Sequence, residues 1–216
     1  MLVKEQMTAK PVTVNLGTTV PDELSLKRER KIRRLPVLDA KGKLVGIASE
    51  KDLLYASASP ATSLNVWEIN SLLSKLLVDR FMSKKVVSVS EDTPIEEAAR
   101  IMADNKFGGL PVMRKTELVG IITETDIFRS LLDMLGGRRK GLRVMATVEG
   151  GKGTFAKVVN AIAAAGGDIV GMGCVEIKDA GVMRWQLTFK VQDVTKRKME
   201  TAIKPVVLEI QDIRET

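Results

Sequence analysis

Two tetrapeptides in this chain set a hydroxyl and, three residues on, a carboxylate: Ser49-Glu-Lys-Asp52 and Thr123-Glu-Thr-Asp126. Each follows an apolar run that opens on glycine, Gly46-Ile-Ala and Gly120-Ile-Ile. A hydroxyl that opens a helix stands among backbone N–H groups with no helical partner, which attract phosphate. An ionised carboxylate beside it only accepts hydrogen bonds, and can take two from the vicinal hydroxyls of a sugar. The structural alternative is a plain cap, in which the acid folds back onto the N-cap amide. A single such tetrapeptide favours the cap; two copies at matched places favour a ligand.

The copies sit at matched places because the chain repeats itself. Residues 7–40 align with 82–115 at an offset of 75, matching Met7/Met82, Val12/Val87, Val14/Val89, Thr18/Thr93 and Leu35-Pro36-Val37/Leu110-Pro111-Val112. One deletion then lowers the offset to 74, and Asp52 meets Asp126. Repetition of this density marks one supersecondary unit used twice.

Each unit reads as strand, helix, strand, strand, helix. In the first, Pro11–Val14 is a strand and Thr18 to about Lys31 a helix. The second has Thr93 as N-cap, Pro94 at the first helical position and Glu96 at the capping-box position. Each helix stops before Leu-Pro-Val, since proline cannot continue it. A turn at 39–42 or 114–117 leads to the second strand, 44–48 or 118–122, and Ser49 or Thr123 opens another helix. A unit of this size buries too little to stand alone, so the two are expected to pack together. Between them, residues 58–78 carry Val66, Ile69, Leu72, Leu73, Leu76 and Leu77 at helical spacing, which predicts a connecting helix.

Gly136-Gly-Arg-Arg-Lys-Gly141 has a linker's composition. Beyond it the spacing predicts a strand over 142–148, a helix over 154–165, a hairpin of 169–177 with 182–191 turning at 178–181, a helix over 195–203 and a strand over 206–213. That order, βαββαβ, is the ferredoxin-like arrangement.

The doubled unit, with Leu-Pro-Val and the glycine-led strand ending in Ser/Thr-x-x-Asp, resembles the tandem CBS domains of Bateman modules. The tail resembles an ACT domain, and the CBS–CBS–ACT order is similar to the AcuB family of acetoin-utilisation proteins. The expected fold is α/β (α+β). Its parts are CBS domain 1 at 1–57, a connecting helix at 58–78, CBS domain 2 at 79–135, a linker at 136–141 and an ACT domain at 142–216. The resemblance implies a non-catalytic, allosteric module that binds AMP, ATP or another adenosyl ligand, and a homodimer, because CBS pairs form discs and ACT sheets pair side by side.

It also carries ribose contact onto Asp52 and Asp126, with Ser49 and Thr123 beside the phosphate. Thr18 and Thr93 are candidates for the same clefts, though capping explains them equally well. Val12 and Val87 are candidates for the walls around an adenine, or for core. Arg33 and Arg34, at the end of the basic run 27–34, either reach ligand phosphates or form a solvated helix end favoured by the helix dipole. The second repeat has Gly108 and Gly109 in their place. In the tail, Gly151, Lys152 and Gly153 join a strand to a helix, in an order and length that are not a nucleotide P-loop. ACT domains use such a loop for amino acids, and Asp168 stands where many members have a polar residue; a dimer-forming ACT domain without ligand is the alternative.

Composition narrows the rivals. With no histidine and one cysteine, Cys174, the chain has no His-based triad, no usual zinc ligands and no internal disulfide. Cys174 reads as core. A nucleotide-handling enzyme is one rival, and no nucleophile stands beside a base to support it. The net charge of +7 raises a second, a basic nucleic-acid-binding regulator. It divides as +4, +1 and +2 over 1–78, 79–141 and 142–216, a diffuse excess with only 4% aromatic residues, which argues against it. No run is long enough for a membrane helix and no signal pattern opens the chain, so the expected location is the cytoplasm, with an unidentified protein target.

Overall fold

The computed structural model describes residues 1–49, 75–179 and 182–216, which divide into two compact units, Met1–Ile127 and Phe128–Thr216. In the first unit each repeat builds a small sheet. Repeat one supplies β2 (Val14–Asn15), α2 (Val20–Arg30), β3 (Arg34–Leu38) and β4 (Leu44–Ser49). Repeat two supplies β5 (Val89–Ser90), α3 (Ile95–Asn105), β6 (Gly109–Arg114), β7 (Glu117–Thr123) and the start of α4 (Glu124–Met134). The register repeats too: Val14 lies parallel to Val37 as Val89 does to Val112, and β3/β4 and β6/β7 are antiparallel pairs.

The repeats are bound by an exchange of arms. Residues 1–9, with α1 (Val3–Gln6) and β1 (Thr8–Ala9), dock on the second repeat, where Thr8 pairs with Ile121 on β7. Residues 76–83 dock on the first, where Ser83 pairs with Ile47 on β4. The hydrogen bonds match: Val3 N donates to Thr93 O and Val78 N to Thr18 O, both at 2.9 Å, while Ile95 N donates to Met1 O at 3.1 Å and Val20 N to Leu76 O at 3.0 Å. Fully buried Val78, with Met82, completes the core of Val14, Leu35, Val37 and Ala48, and fully buried Val3 completes that of Val89, Ala98, Leu110 and Ile122. The motif glycines make the exchange possible. A β-carbon on Gly46 would overlap Met82 Sδ, and one on Gly120 would overlap Met7 Sδ.

This exchange corrects the expected helix starts. Thr18 and Thr93 spend their carbonyls on the arms, and the caps fall one residue later, at Thr19 and Pro94. Thr19 accepts from Asp22 N at 3.4 Å, whereas Pro94, at ψ 141°, is outside the helix and makes no side-chain cap. Of the expected connecting helix, residues 58–74 lie outside the described residues. Leu77 is extended, and Val78–Arg80 form a 3₁₀ turn. The basic end of α2 is not wholly solvated either: Lys27 is buried in an ion pair with buried Glu23 one turn earlier.

The second unit carries β8 (Leu142–Glu149), α5 (Thr154–Ala164), β9 (Asp168–Asp179), β10 (Val182–Gln192), α6 (Lys196–Ile203) and β11 (Glu209–Glu215). Its sheet is antiparallel throughout, in the order β11-β8-β10-β9, which is the ferredoxin-like βαββαβ topology. Val158 and Ile162 of α5 and Met199 and Ile203 of α6 pack on Val144, Val148, Leu187 and Phe189 of the sheet. Cys174, expected in the core, is exposed, because β9 is the outer strand of that sheet. The expected linker is tied down: Lys190 Nζ donates to Arg139 O and Gln192 Nε2 to Lys140 O, both at 2.6 Å. Among the described residues no helix is long and apolar enough to cross a membrane.

Candidate functional site

The arm exchange opens a cleft of about 320 Å³ in the first unit. Ile47 and Ser83, bonded both ways at 2.9 and 3.1 Å, form part of its wall. Ser49 is two residues beyond Ile47, on the same face of β4, and lines the cleft as well. Arg34 stands directly opposite Ser49 in the β3/β4 register, so arginine and hydroxyl enter the cleft as cross-strand neighbours. Arg33 joins them from the turn before β3.

The second repeat supplies the remaining wall. Val86 and Val87 come from the stretch before β5, and Phe107, Leu110 and Pro111 give an apolar surface. Lys85 and Lys106 add two further cations, both exposed. Among the described lining residues there is no carboxylate. Partial burial holds the Arg34 guanidinium below its ordinary range; Glu124 opposes that shift, and neighbouring Arg33 adds to it. Such a cleft can hold a flat apolar group against the valines and an anion against the guanidiniums, which are suited to bidentate contact with phosphate oxygens.

Of the residues singled out from sequence, the structure thus brings together Ser49, Arg33, Arg34 and Val87. Asp52 lies outside the described residues. Val12, Thr18, Thr93, Thr123 and Asp126 do not line this cleft. Thr18 Oγ1 instead accepts from Asn15 N at 3.2 Å. Asp126 is buried, and its Oδ2 accepts from Thr123 N at 2.9 Å and from Thr123 Oγ1 at 2.7 Å. The second tetrapeptide therefore makes the cap. Lys106 is legible as the nearest base to Gly108 and Gly109, but its pairing with Lys85 was missed. Their signal was in the repeat, since Lys10 and Lys31 occupy the aligned positions.

In the second unit Gly153, at φ 81°, is the N-cap of α5, and Gly151 and Lys152 are exposed in the turn before it. Asp168 opens β9, beyond the other end of that helix. An 11-residue helix is roughly 16 Å long, so one chain does not bring Asp168 to the glycine loop.

The family model for the CBS domain matches residues 3–59 and 78–133. The solved structure of a putative acetoin utilization protein (AcuB) from Vibrio cholerae is 33% identical, with a TM-score of 0.53, over 64% of this chain and 95% of that one. The CBS domain pair of protein MJ0100, solved in complex with 5′-methylthioadenosine and S-adenosyl-L-methionine, is 26% identical, with a TM-score of 0.52, over 64% of this chain and 98% of that one. CBSX2, solved in complex with AMP, is 33% identical, with a TM-score of 0.50, over 61% of this chain and 96% of that one.

Proposed function

We propose that this chain, which belongs to the CBS domain family, is a non-catalytic regulator whose CBS pair senses an adenosine nucleotide or a related adenosyl compound. The observation that carries the reading is the cleft itself, where Ser49, Arg33 and Arg34 face an apolar wall that includes Val87. In this reading the adenine lies against that wall, Ser49 and the arginines hold phosphate, and Asp52 accepts from the ribose hydroxyls. Asp126 has the corresponding role at the second motif. AMP bound to CBSX2, and methylthioadenosine and S-adenosylmethionine bound to the MJ0100 pair, support the adenosyl class.

The second unit, by its βαββαβ order and the Gly151–Gly153 turn, is read as an ACT domain that dimerises or senses an amino acid. Homodimerisation belongs to the same reading, and the exposed apolar stripe of Phe128, Leu131 and Leu132 on α4 supports it. Ligand binding would bias the packing of the CBS pair, and residues 136–141 would pass that change onward.

A thermal-unfolding screen of the full chain against adenosine compounds and amino acids tests the reading. A ligand at a hundred times its Kd adds about 2.7 kcal/mol of stability. No shift with any adenosine compound would refute the adenosyl assignment, and nucleotide turnover by the intact protein would refute the non-catalytic one.

A further inference from the structure

Among the described residues, four cationic side chains line the cleft, two from each repeat: Arg33 and Arg34 at the start of β3, Lys85 before β5, and Lys106 in the left-handed turn that ends α3. They differ in depth. Arg34 is half-buried opposite Ser49, whereas Arg33, Lys85 and Lys106 are exposed. A single phosphate near Ser49 would occupy the inner guanidinium and leave the outer cations unused. A chain of phosphates leading outward would engage both groups. The guanidinium offers a rigid fork, and the lysines are mobile point charges that follow a flexible polyphosphate. A sulfonium adenosyl compound brings a positive charge to the same four cations, and a neutral thioether brings none. Both leave the cluster unneutralised.

We propose that this cleft selects adenosine polyphosphates over the monophosphate and over sulfur-containing adenosyl compounds, with Lys85 and Lys106 as the specificity-determining residues. The proposal rests on the adenosyl reading above and adds to it which member of that class binds.

The test is calorimetry on the full chain with ATP, AMP, 5′-methylthioadenosine and inorganic tripolyphosphate. It compares wild type with Lys85→Ala/Lys106→Asn, asparagine being chosen because it tolerates the left-handed backbone at 106, where φ is 56°. Wild type is expected to bind ATP at least about ten-fold more tightly than AMP. The double variant is expected to lose most of that ratio while its AMP affinity moves less than about three-fold. Equal affinities for ATP and AMP in wild type, or an ATP preference that survives in the folded double variant, would overturn the selectivity and leave the adenosyl reading standing. Methylthioadenosine binding more tightly than ATP would do the same. If no adenosine compound binds, whether or not tripolyphosphate does, both fall together.

Discussion

The guanidinium of Arg34 lies in the space that a side chain at Gly108 would fill: a β-carbon there would overlap Nη2 and Cζ. In the repeat alignment Arg33 and Arg34 correspond to Gly108 and Gly109, so Arg34 of the first repeat meets the two glycines that replace the arginines in the second. The arginine of one copy uses the room left by the glycine of the other. A β-carbon on Gly109 would likewise stand 3.4 Å from Arg34 Cδ and 3.3 Å from Thr123 Cγ2. Gly108 O in turn accepts from Glu124 N, at the start of α4, at 3.1 Å. Arg34 thereby lines the cleft and packs on Gly109, the residue that pairs with Thr123 of the second motif.

Gly108→Ala tests this contact. The colliding atoms are the far end of a flexible side chain, so the guanidinium moves and the backbone stays. Stability is expected to fall by less than about 1 kcal/mol in denaturant unfolding. ATP affinity should fall by roughly three- to ten-fold, because a displaced guanidinium loses its bidentate geometry. An unchanged affinity would mean that Arg34 does not act from this position.

The arm exchange gives a second prediction. The three atoms nearest a β-carbon built on Gly46 all belong to Met82, which is buried. Gly46→Ala is therefore expected to cost about 1–2 kcal/mol by overpacking. Met82→Ala costs about 2–4 kcal/mol as a large-to-small change. Because Met82→Ala removes the atoms that the new β-carbon at position 46 would meet, the double variant should be at least about 0.5 kcal/mol more stable than the sum predicts. Strict additivity in urea unfolding would show that glycine and methionine do not meet.

What could be read in the sequence follows from how local each feature is. The repeat, the Leu-Pro-Val strands and the βαββαβ tail depend on periodicity and on proline, and the structure has them. The exchange of arms depends on pairs far apart in the chain, Thr8 with Ile121 and Ser83 with Ile47, and no periodicity encodes it. It also moved the caps to Thr19 and Pro94, since Thr18 and Thr93 use their carbonyls on the arms. In the site, Ser49 and the arginines were legible because they adjoin a repeated motif. Lys85 and Lys106 are scattered lysines until folding puts them on one cleft. Cys174 was misplaced because an apolar strand does not announce that it will lie at a sheet edge.

Cys174 gives a pH-dependent prediction. Partial desolvation raises its thiol pKa above the ordinary range, and the Glu176 carboxylate raises it further. A raised pKa means less thiolate at any given pH, and thiolate is the reacting form. Exposed Cys174 should therefore react with a disulfide reagent more slowly than free cysteine at neutral pH, and its rate should still be climbing where free cysteine has levelled off. Glu176→Gln should shift the rate profile toward lower pH. A profile that levels off below that of free cysteine would contradict this ordering.

The cap that Asp126 makes and the ribose contact proposed for it have separate readouts. In the structure its Oδ2 accepts from Thr123 N and Thr123 Oγ1, so Asp126→Ala removes a cap and is expected to cost about 1–2 kcal/mol of stability. The proposed ribose contact makes a different demand. At the second motif, losing a charged acceptor should weaken an adenosyl ligand by about 1.5–3 kcal/mol. The cleft that holds Ser49 and the arginines does not include Asp126 in its lining, so its affinity should move less than about two-fold. Calorimetry of wild type at saturating ligand should then resolve two classes of site, and Asp126→Ala should abolish one of them. Loss of stability with both classes of site intact would leave Asp126 as a cap alone.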